Sequence, residues 1–300
     1  MKIIQAKSAG MCWGVVRAIE IARNSIPKEN KIIYTDGPLI HNRQMMLKLR
    51  SEGIHEATNV KIESDIKKGN QPLGSSSIVI RAHGISPQRR KYLKGLGLSF
   101  KDATCPDVGM IAGKIRLHVN RGYNIVIFGD PTHPETVGLI GYAGDRGYVI
   151  QSSDHIDQLP ELGSKVCMVS QSTMFTHEFE EHACHLKQLY PDVLVFNTIC
   201  QATKNRQSSV ITLVQAGAEA IIVIGGRHSA NTKKLAELAR IQDIPTFHIE
   251  RALELNMDEL RDYKIVGLTA GASTPDFLIL EVRNFLESFK TTKLDEPISP

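Results

Sequence analysis

The sequence predicts an α/β fold of three pseudo-equivalent α/β units, set as a trefoil so that their strand ends face a common centre. Three observations carry that expectation. Cys12, Cys105 and Cys200 recur at a near-constant interval, each where a short apolar run stops and a helical pattern begins. A histidine in a polar loop follows each cysteine at a matching distance, at His41, His133 and His228. A later apolar run in each repeat ends in a small or polar cluster: Arg81-Ala82-His83-Gly84, Ser170-Gln171-Ser172-Thr173 and Thr269-Ala270-Gly271-Ala272-Ser273. Strand ends of an open parallel sheet form the crevice in which ligands bind. The repeat divides the chain into residues 1–97, 98–192 and 193–290, leaving 291–300 as a polar tail.

In the first repeat, residues 2–6 read as a strand, and Cys12 follows the loop Ser8-Ala9-Gly10. Val15, Ala18, Ile19 and Ala22 then give the apolar stripe of a helix over 15–26. A strand over 31–35 leads through His41 to a helix over 44–50, and 77–81 is a β-rich run. Ser86 and Pro87 have the chemistry of a helix cap and first helical residue. The second repeat opens with a strand over 98–103, a helix over 108–120 and a buried-type strand over 124–128. Pro134 biases His133 to an extended backbone and fits the first turn of a helix, which aims Glu135 at the strand-end crevice. Strands over 147–151 and 165–170 and a helix over 174–189 complete this repeat. The third repeat has a strand over 193–196, a helix over 202–214 and a strand over 220–224. Its Gly225-Gly226 pair permits close backbone approach to a ligand, and the helix start beyond Ser229 is a natural anion site. Strands over 246–249 and 264–269 and a helix over 276–289 follow.

At 300 residues, with 42% hydrophobic and 23% charged residues, the chain has the composition of an ordinary globular protein. It contains no apolar run of about eighteen residues, so no membrane span is expected. The first residues lack the apolar core of a signal peptide, and the expected compartment is cytoplasmic. A formal charge of +4, spread along the chain, suits a small anionic ligand better than a nucleic acid. Five cysteines without a CxxC pair, in a reducing compartment, point to metal or redox chemistry.

A thiolate at a helix start is stabilised by the exposed N–H groups and the helix dipole. Any one of the three repeat cysteines also fits a small buried hydrophobe. Three thiolates without an evident fourth ligand differ from structural zinc, which is closed by four. They suit an iron–sulfur cluster with one iron left open. Cys167, inside a strand, and Cys184, within a helix, match no repeat position and read as core or spare thiols. His41, His83, His133 and His228 are each compatible with a turn or cap, and together with donation to phosphate. Ser273-Thr274-Pro275 has the chemistry of a helix cap, which also binds anions. Glu135 serves either its helix dipole or, with a raised pKa, proton donation.

The motifs Gly10-Met11-Cys12-Trp13-Gly14-Val15, His41-Asn42-Arg43, Ala82-His83-Gly84, Ala103-Thr104-Cys105-Pro106, His133-Pro134-Glu135, Asn205-Arg206-Gln207 and Thr269-Ala270-Gly271-Ala272-Ser273 resemble, in order, the LytB family of 4-hydroxy-3-methylbut-2-enyl diphosphate reductases. The resemblance implies a trefoil around a central 4Fe–4S cluster held by Cys12, Cys105 and Cys200. It implies a cytoplasmic oxidoreductase of the methylerythritol phosphate route to isoprenoids. The substrate's allylic hydroxyl is removed as water by two electrons and two protons, giving isopentenyl and dimethylallyl diphosphates.

By the same resemblance Glu135 is the proton-relay carboxylate, His133 shares in proton delivery, and Ser170 stands beside the substrate hydroxyl where the family often has threonine. His41, His83, His133, Ser229, Asn231 and Ser273 hold the diphosphate, while Ala230 replaces a serine found in many members. An external one-electron donor such as ferredoxin or flavodoxin is the implied partner, with no nucleic acid and no membrane. Two other readings stay open: a cluster-bearing relative acting on another substrate, and a non-catalytic metal or redox sensor.

Overall fold

The computed structural model of the chain describes residues 1–26, 33–57, 77–97 and 99–292, with 289–292 as backbone alone. Its strands are β1 (Lys2–Gln5), β2 (Ile33–Asp36), β3 (Ile54–Ala57), β4 (Ser77–Ile80), β5 (Ser99–Asp102), β6 (Asn124–Phe128), β7 (Gly147–Ile150), β8 (Val166–Ser170), β9 (Leu194–Val195), β10 (Ala220–Ile224), β11 (Thr246–Ile249) and β12 (Ile265–Ala270). They form three 4-stranded sheets. Read from the matching edge, the orders are β3-β2-β4-β5, β7-β6-β8-β9 and β11-β10-β12-β1, and every pairing is parallel. The fold is thus α/β with three units of one topology. The strand that leads into each cysteine lies at the edge of the sheet formed by the preceding repeat: β5 beside β4, β9 beside β8, and β1 beside β12.

β4, β8 and β10 are buried along their whole length, as central strands of parallel sheets covered on both faces must be. Alternation sends their side chains to two cores. Val126, Phe128, Val166 and Met168 pack with Phe179 and Leu186 of the helix Thr176–Leu189. Ile125, Ile127, Cys167 and Val169 instead meet Ile111 and Ile115 of the helix Pro106–Asn120. Each such fully buried aliphatic side chain contributes roughly 1.5–3 kcal/mol.

By compactness the chain falls into two units. One comprises Met1–Cys12, His41–Met45 and the chain from Gln201 onward, and holds the sheet β11-β10-β12-β1. The other comprises Trp13–Ile40 and Met46–Cys200 and holds the other two sheets.

The apolar runs of the sequence become strands and helices within a few residues of the expected limits. The strand starts expected at 31 and 98, and most of the polar tail, lie outside the described residues. The helix Asp276–Thr292 runs past the limit expected for it. Among the described residues five elements were not expected: β3, the short helices Ser153–Asp157 and Met257–Leu260, and the 3-10 turns Gly144–Arg146 and Ala252–Glu254. β3 carries His55 and Glu56 between its buried ends, so pairing with β2 rather than composition makes it a strand. Among the described residues no helix is long and apolar enough to cross a membrane.

Candidate active site

In the sheets β3-β2-β4-β5 and β7-β6-β8-β9 the chain leaves the two central strands towards opposite edges, and the loops beyond them flank the crevice where parallel sheets bind ligands. In the sheet β7-β6-β8-β9 these loops carry Glu135 and Ser172. His133 caps the helix Pro134–Ala143, its Nδ1 accepting from the Glu135 N–H at 3.2 Å. With Nδ1 accepting, the neutral ring carries its proton on Nε2. Its ring meets that of His83 edge-on, with centroids 5.4 Å apart.

Glu135 is 2% exposed. Oε1 accepts from the Ser172 backbone N–H at 2.6 Å and Oε2 from the Ser172 hydroxyl at 2.7 Å. Burial pushes its carboxyl up to about 7, against the pull of the two Ser172 bonds and with help from the Asp107 charge. Behind it, Gln171 Oε1 accepts from the Asp130 N–H and the Thr136 hydroxyl, both at 3.0 Å, and ties the two loops together.

Ser170 is buried, and its hydroxyl donates to the Gln171 carbonyl at 2.9 Å. The Thr198 hydroxyl bridges its backbone, accepting from Ser170 N–H at 2.7 Å and donating to its carbonyl at 2.6 Å. The hydroxyl bonded to Glu135 is that of Ser172. The reason is local: Ser170 ends β8 and remains in the sheet, while Ser172 lies in the turn beyond.

The unit containing β10 and β12 repeats this frame with other side chains. Ser229 caps the helix Ala230–Ile241, accepting from the Thr232 N–H at 3.3 Å. Asn231 Oδ1 accepts from the Ala272 N–H at 3.0 Å. The Ser273 hydroxyl donates to the His41 carbonyl at 3.0 Å, and Asn42 Oδ1 accepts from the Met45 N–H at 2.9 Å at the start of the helix Arg43–Ser51. A Cβ on Gly226 would lie 2.8 Å from the His41 carbonyl oxygen, and one on Gly271 2.0 Å from Thr232 Oγ1, so glycine is what lets these loops close up. His228, which the sequence repeat pairs with His133, is exposed, and Ser229 takes the capping place instead. Thus His41, Ser229, Asn231 and Ser273 lie in one compact unit, and His83, His133, Glu135 and Ser170 in the other.

The three repeat cysteines share one backbone device. Cys12 N–H donates to Ala272 O at 3.0 Å, Cys105 N–H to Ala82 O at 2.9 Å, and Cys200 N–H to Ser172 O at 3.1 Å. Each directly precedes a helix: Trp13–Asn24, Pro106–Asn120 and Gln201–Gln215. All three are partly exposed, none is in a disulfide, and the Cys105 side chain makes no capping bond to its helix. A set of soft sulfur ligands at helix starts fits an iron–sulfur centre. The buried Arg206 guanidinium donates to Gly10 O at 2.5 Å and to Ala202 O at 2.8 Å, pinning the loop that leads to Cys12. Cys167 sits in the core, its thiol pushed up to about 12 by burial, and Cys184 is exposed on its helix.

Residues 3–287 match the profile of a family described as LytB protein. This chain belongs to the LytB family. It is 58% identical over 289 residues to the 4-hydroxy-3-methylbut-2-enyl diphosphate reductase of Opitutus terrae, covering 96% of this chain and 100% of that one. The enzyme of the same description from Alkaliphilus oremlandii is 39% identical over 285 residues, covering 94% of this chain and 98% of its own. Among solved LytB-like structures, the E-1-hydroxy-2-methyl-but-2-enyl-4-diphosphate reductase of Plasmodium falciparum superposes with a TM-score of 0.86 at 27% identity, covering 99% of this chain and 89% of that one. A second, described as (E)-4-hydroxy-3-methyl-but-2-enyl diphosphate reductase, the terminal enzyme of the non-mevalonate pathway, has a TM-score of 0.69 at 34% identity, covering 96% of this chain and 99% of its own.

Proposed function

We propose that this chain reduces 4-hydroxy-3-methylbut-2-enyl diphosphate, removing its allylic hydroxyl as water with two electrons and two protons to give isopentenyl and dimethylallyl diphosphates. The observation that carries the mechanism is the Glu135 carboxyl, buried at a crevice edge and pushed up to about 7. A general acid is most useful with a pKa near the working pH. Protonated on Oε2, Glu135 donates to Ser172 Oγ, and the Ser172 proton is then free to pass to the leaving hydroxyl. One proton leaves with the water and the other ends on carbon.

Cys12, Cys105 and Cys200 are the residues that would hold a 4Fe–4S cluster. When bound, it supplies electrons singly and an open iron for the hydroxyl oxygen. The diphosphate falls to groups whose other bonds leave a donor over. Asn231 offers its amide N–H because Oδ1 is taken by Ala272, and Ser229 its O–H because Oγ accepts from Thr232, with the His133 imidazole as a third donor. Ser273 turns its hydroxyl from the His41 carbonyl to join them, and the His41 and His83 imidazoles complete the set. Many donors on one end of a substrate convert binding energy into orientation of the other. The electrons come from an external one-electron carrier such as ferredoxin or flavodoxin, and the free cysteines support a cytoplasmic reading.

The test is anaerobic: cluster-loaded protein, a reduced viologen dye and 4-hydroxy-3-methylbut-2-enyl diphosphate. Dye oxidation with formation of both product diphosphates is expected. No oxidation by protein with an intact cluster would refute the substrate assignment.

A further inference from the structure

A cleft of about 390 Å³ opens beside Cys105, whose residue forms part of its wall. Arg17, Arg90 and Arg116 line it, with His83. The carboxylate lining it, Asp102, is ion-paired with Arg90. Arg17 is held by the Thr104 carbonyl at 3.0 Å, in the residue before Cys105. Arg116 is exposed, and no hydrogen bond or ion pair among the described residues engages it. The floor is small-residued: a Cβ on Gly109 or Gly113 would meet nothing within 4 Å, so a partner surface can approach closely.

The two helices that supply Arg17 and Arg116 to this basic cleft also expose apolar side chains. Met110 is 54% and Leu117 47% exposed on the helix that starts after Cys105, and Trp13 is 66% exposed on the helix that carries Arg17. Exposed Trp, Met and Arg together are the composition of a protein contact surface. From these features, and resting on the reductase reading above, we infer that the cleft beside Cys105 is the docking surface for a small acidic one-electron carrier protein. In each docking the reduced carrier gives up one electron and is itself oxidised by one. Two dockings complete a turnover, and no atom is exchanged. Positive rim charge speeds the encounter with an acidic partner and fixes its orientation, and the wall residue Cys105 is where the electron is needed.

The experiment titrates cluster-loaded protein with a purified acidic ferredoxin under argon and reads Kd by calorimetry, alongside the viologen-driven rate. Arg116→Glu is expected to raise Kd roughly tenfold or more, Arg116→Lys to leave it within about twofold, and added salt to weaken wild-type binding. Met110→Glu, on the apolar flank, is expected to weaken binding as well. The viologen-driven rate stays at the wild-type value in all three, since a small dye needs no docking. Unchanged ferredoxin Kd in both Arg116→Glu and Met110→Glu would overturn the assignment. So would saturable binding of inorganic diphosphate that Arg116→Glu abolishes without changing ferredoxin affinity, since the cleft would then be a small-anion site. A wild-type protein that binds ferredoxin but never oxidises viologen with substrate would instead refute the reductase reading, while the titration still judges the surface.

Discussion

Beyond β6, Glu135 takes the Ser172 backbone N–H on a carboxylate oxygen; beyond β10, Asn231 takes the Ala272 N–H on an amide oxygen. The frames match. His133 and Ser229 cap the two helices, and Thr136 and Thr232 follow at the same turn. The difference lies in what the frame holds up to the crevice. On one side it is an ionisable group whose burial keeps a proton near neutral pH; on the other it is a neutral amide with N–H to spare for an anion. One backbone arrangement, used twice, thus separates proton handling from anion holding through a carboxylate at one position and an amide at the other.

Exchanging the two side chains tests that separation. Glu135→Gln gives the β6 frame the chemistry of the β10 frame. It is expected to lower kcat by about 10²–10⁴ while substrate binding, read by titration without reductant, is retained. In the wild type the rate falls as pH rises through about 7, where Glu135 loses its proton, and that limb disappears in Glu135→Gln. A variant that turns over at the wild-type rate would end the assignment of Glu135. Asn231→Asp is the converse exchange. It removes a donor and places a like charge against the diphosphate, and roughly a hundredfold loss of substrate affinity is expected, with kcat at saturation reduced less.

Much of this frame was legible in the residues. Apolar runs marked the central strands because buried parallel strands are apolar on both faces. Pro134 fixed the helix start and so the placement of Glu135. What the residues could not show is set by packing. Nothing in the sequence reveals that burial outweighs two hydrogen bonds at Glu135. Counting from the cysteines paired His228 with His133, but capping depends on distance from the strand end, where Ser229 stands. β3 escaped notice because an edge strand with His55 and Glu56 lacks an apolar run. The resemblance points to Ser170 beside the substrate hydroxyl, and it gave no sign that the turn after β8 brings Ser172 to the Glu135 carboxylate.

The proton kept by Glu135 also has a cost in stability. Its folded carboxyl lies at about 7, above the ordinary 4.5. Below 4.5 both folded and unfolded chains carry the proton, and no penalty exists. Between those values the unfolded chain ionises first, so stability falls as pH rises, and above about 7 the penalty is constant. A shift of this size corresponds to about 3 kcal/mol. Glu135→Gln should therefore gain stability over wild type on going from pH 4 to pH 8, read from urea midpoints. An equal difference at both values would mean that the wild-type carboxyl is not raised. Asn231→Asp should move the other way, because it puts a buried carboxyl at a position of the β10 frame that now holds a neutral amide.

The smallest effects separate the two serines. Ser172→Ala removes the hydroxyl that lies 2.7 Å from Glu135 Oε2 while leaving the backbone N–H bond to Oε1. The Ser172 hydroxyl favours the charged carboxylate, so its loss raises the Glu135 pKa further and shifts the alkaline limb of the rate upward. It also breaks the path from Oε2, and kcat is expected to fall about tenfold. Ser170→Ala removes a hydroxyl that, among the described residues, is bonded to the Gln171 carbonyl alone, with the Thr198 bridge to the Ser170 backbone left in place. Its expected cost is about 1 kcal/mol of stability, with kcat and the pH profile unchanged. If instead Ser170→Ala moved the pH limb and Ser172→Ala did not, the proton path would run through the strand end rather than the turn. The bond between Ser172 and Glu135 would then be support for the loop alone.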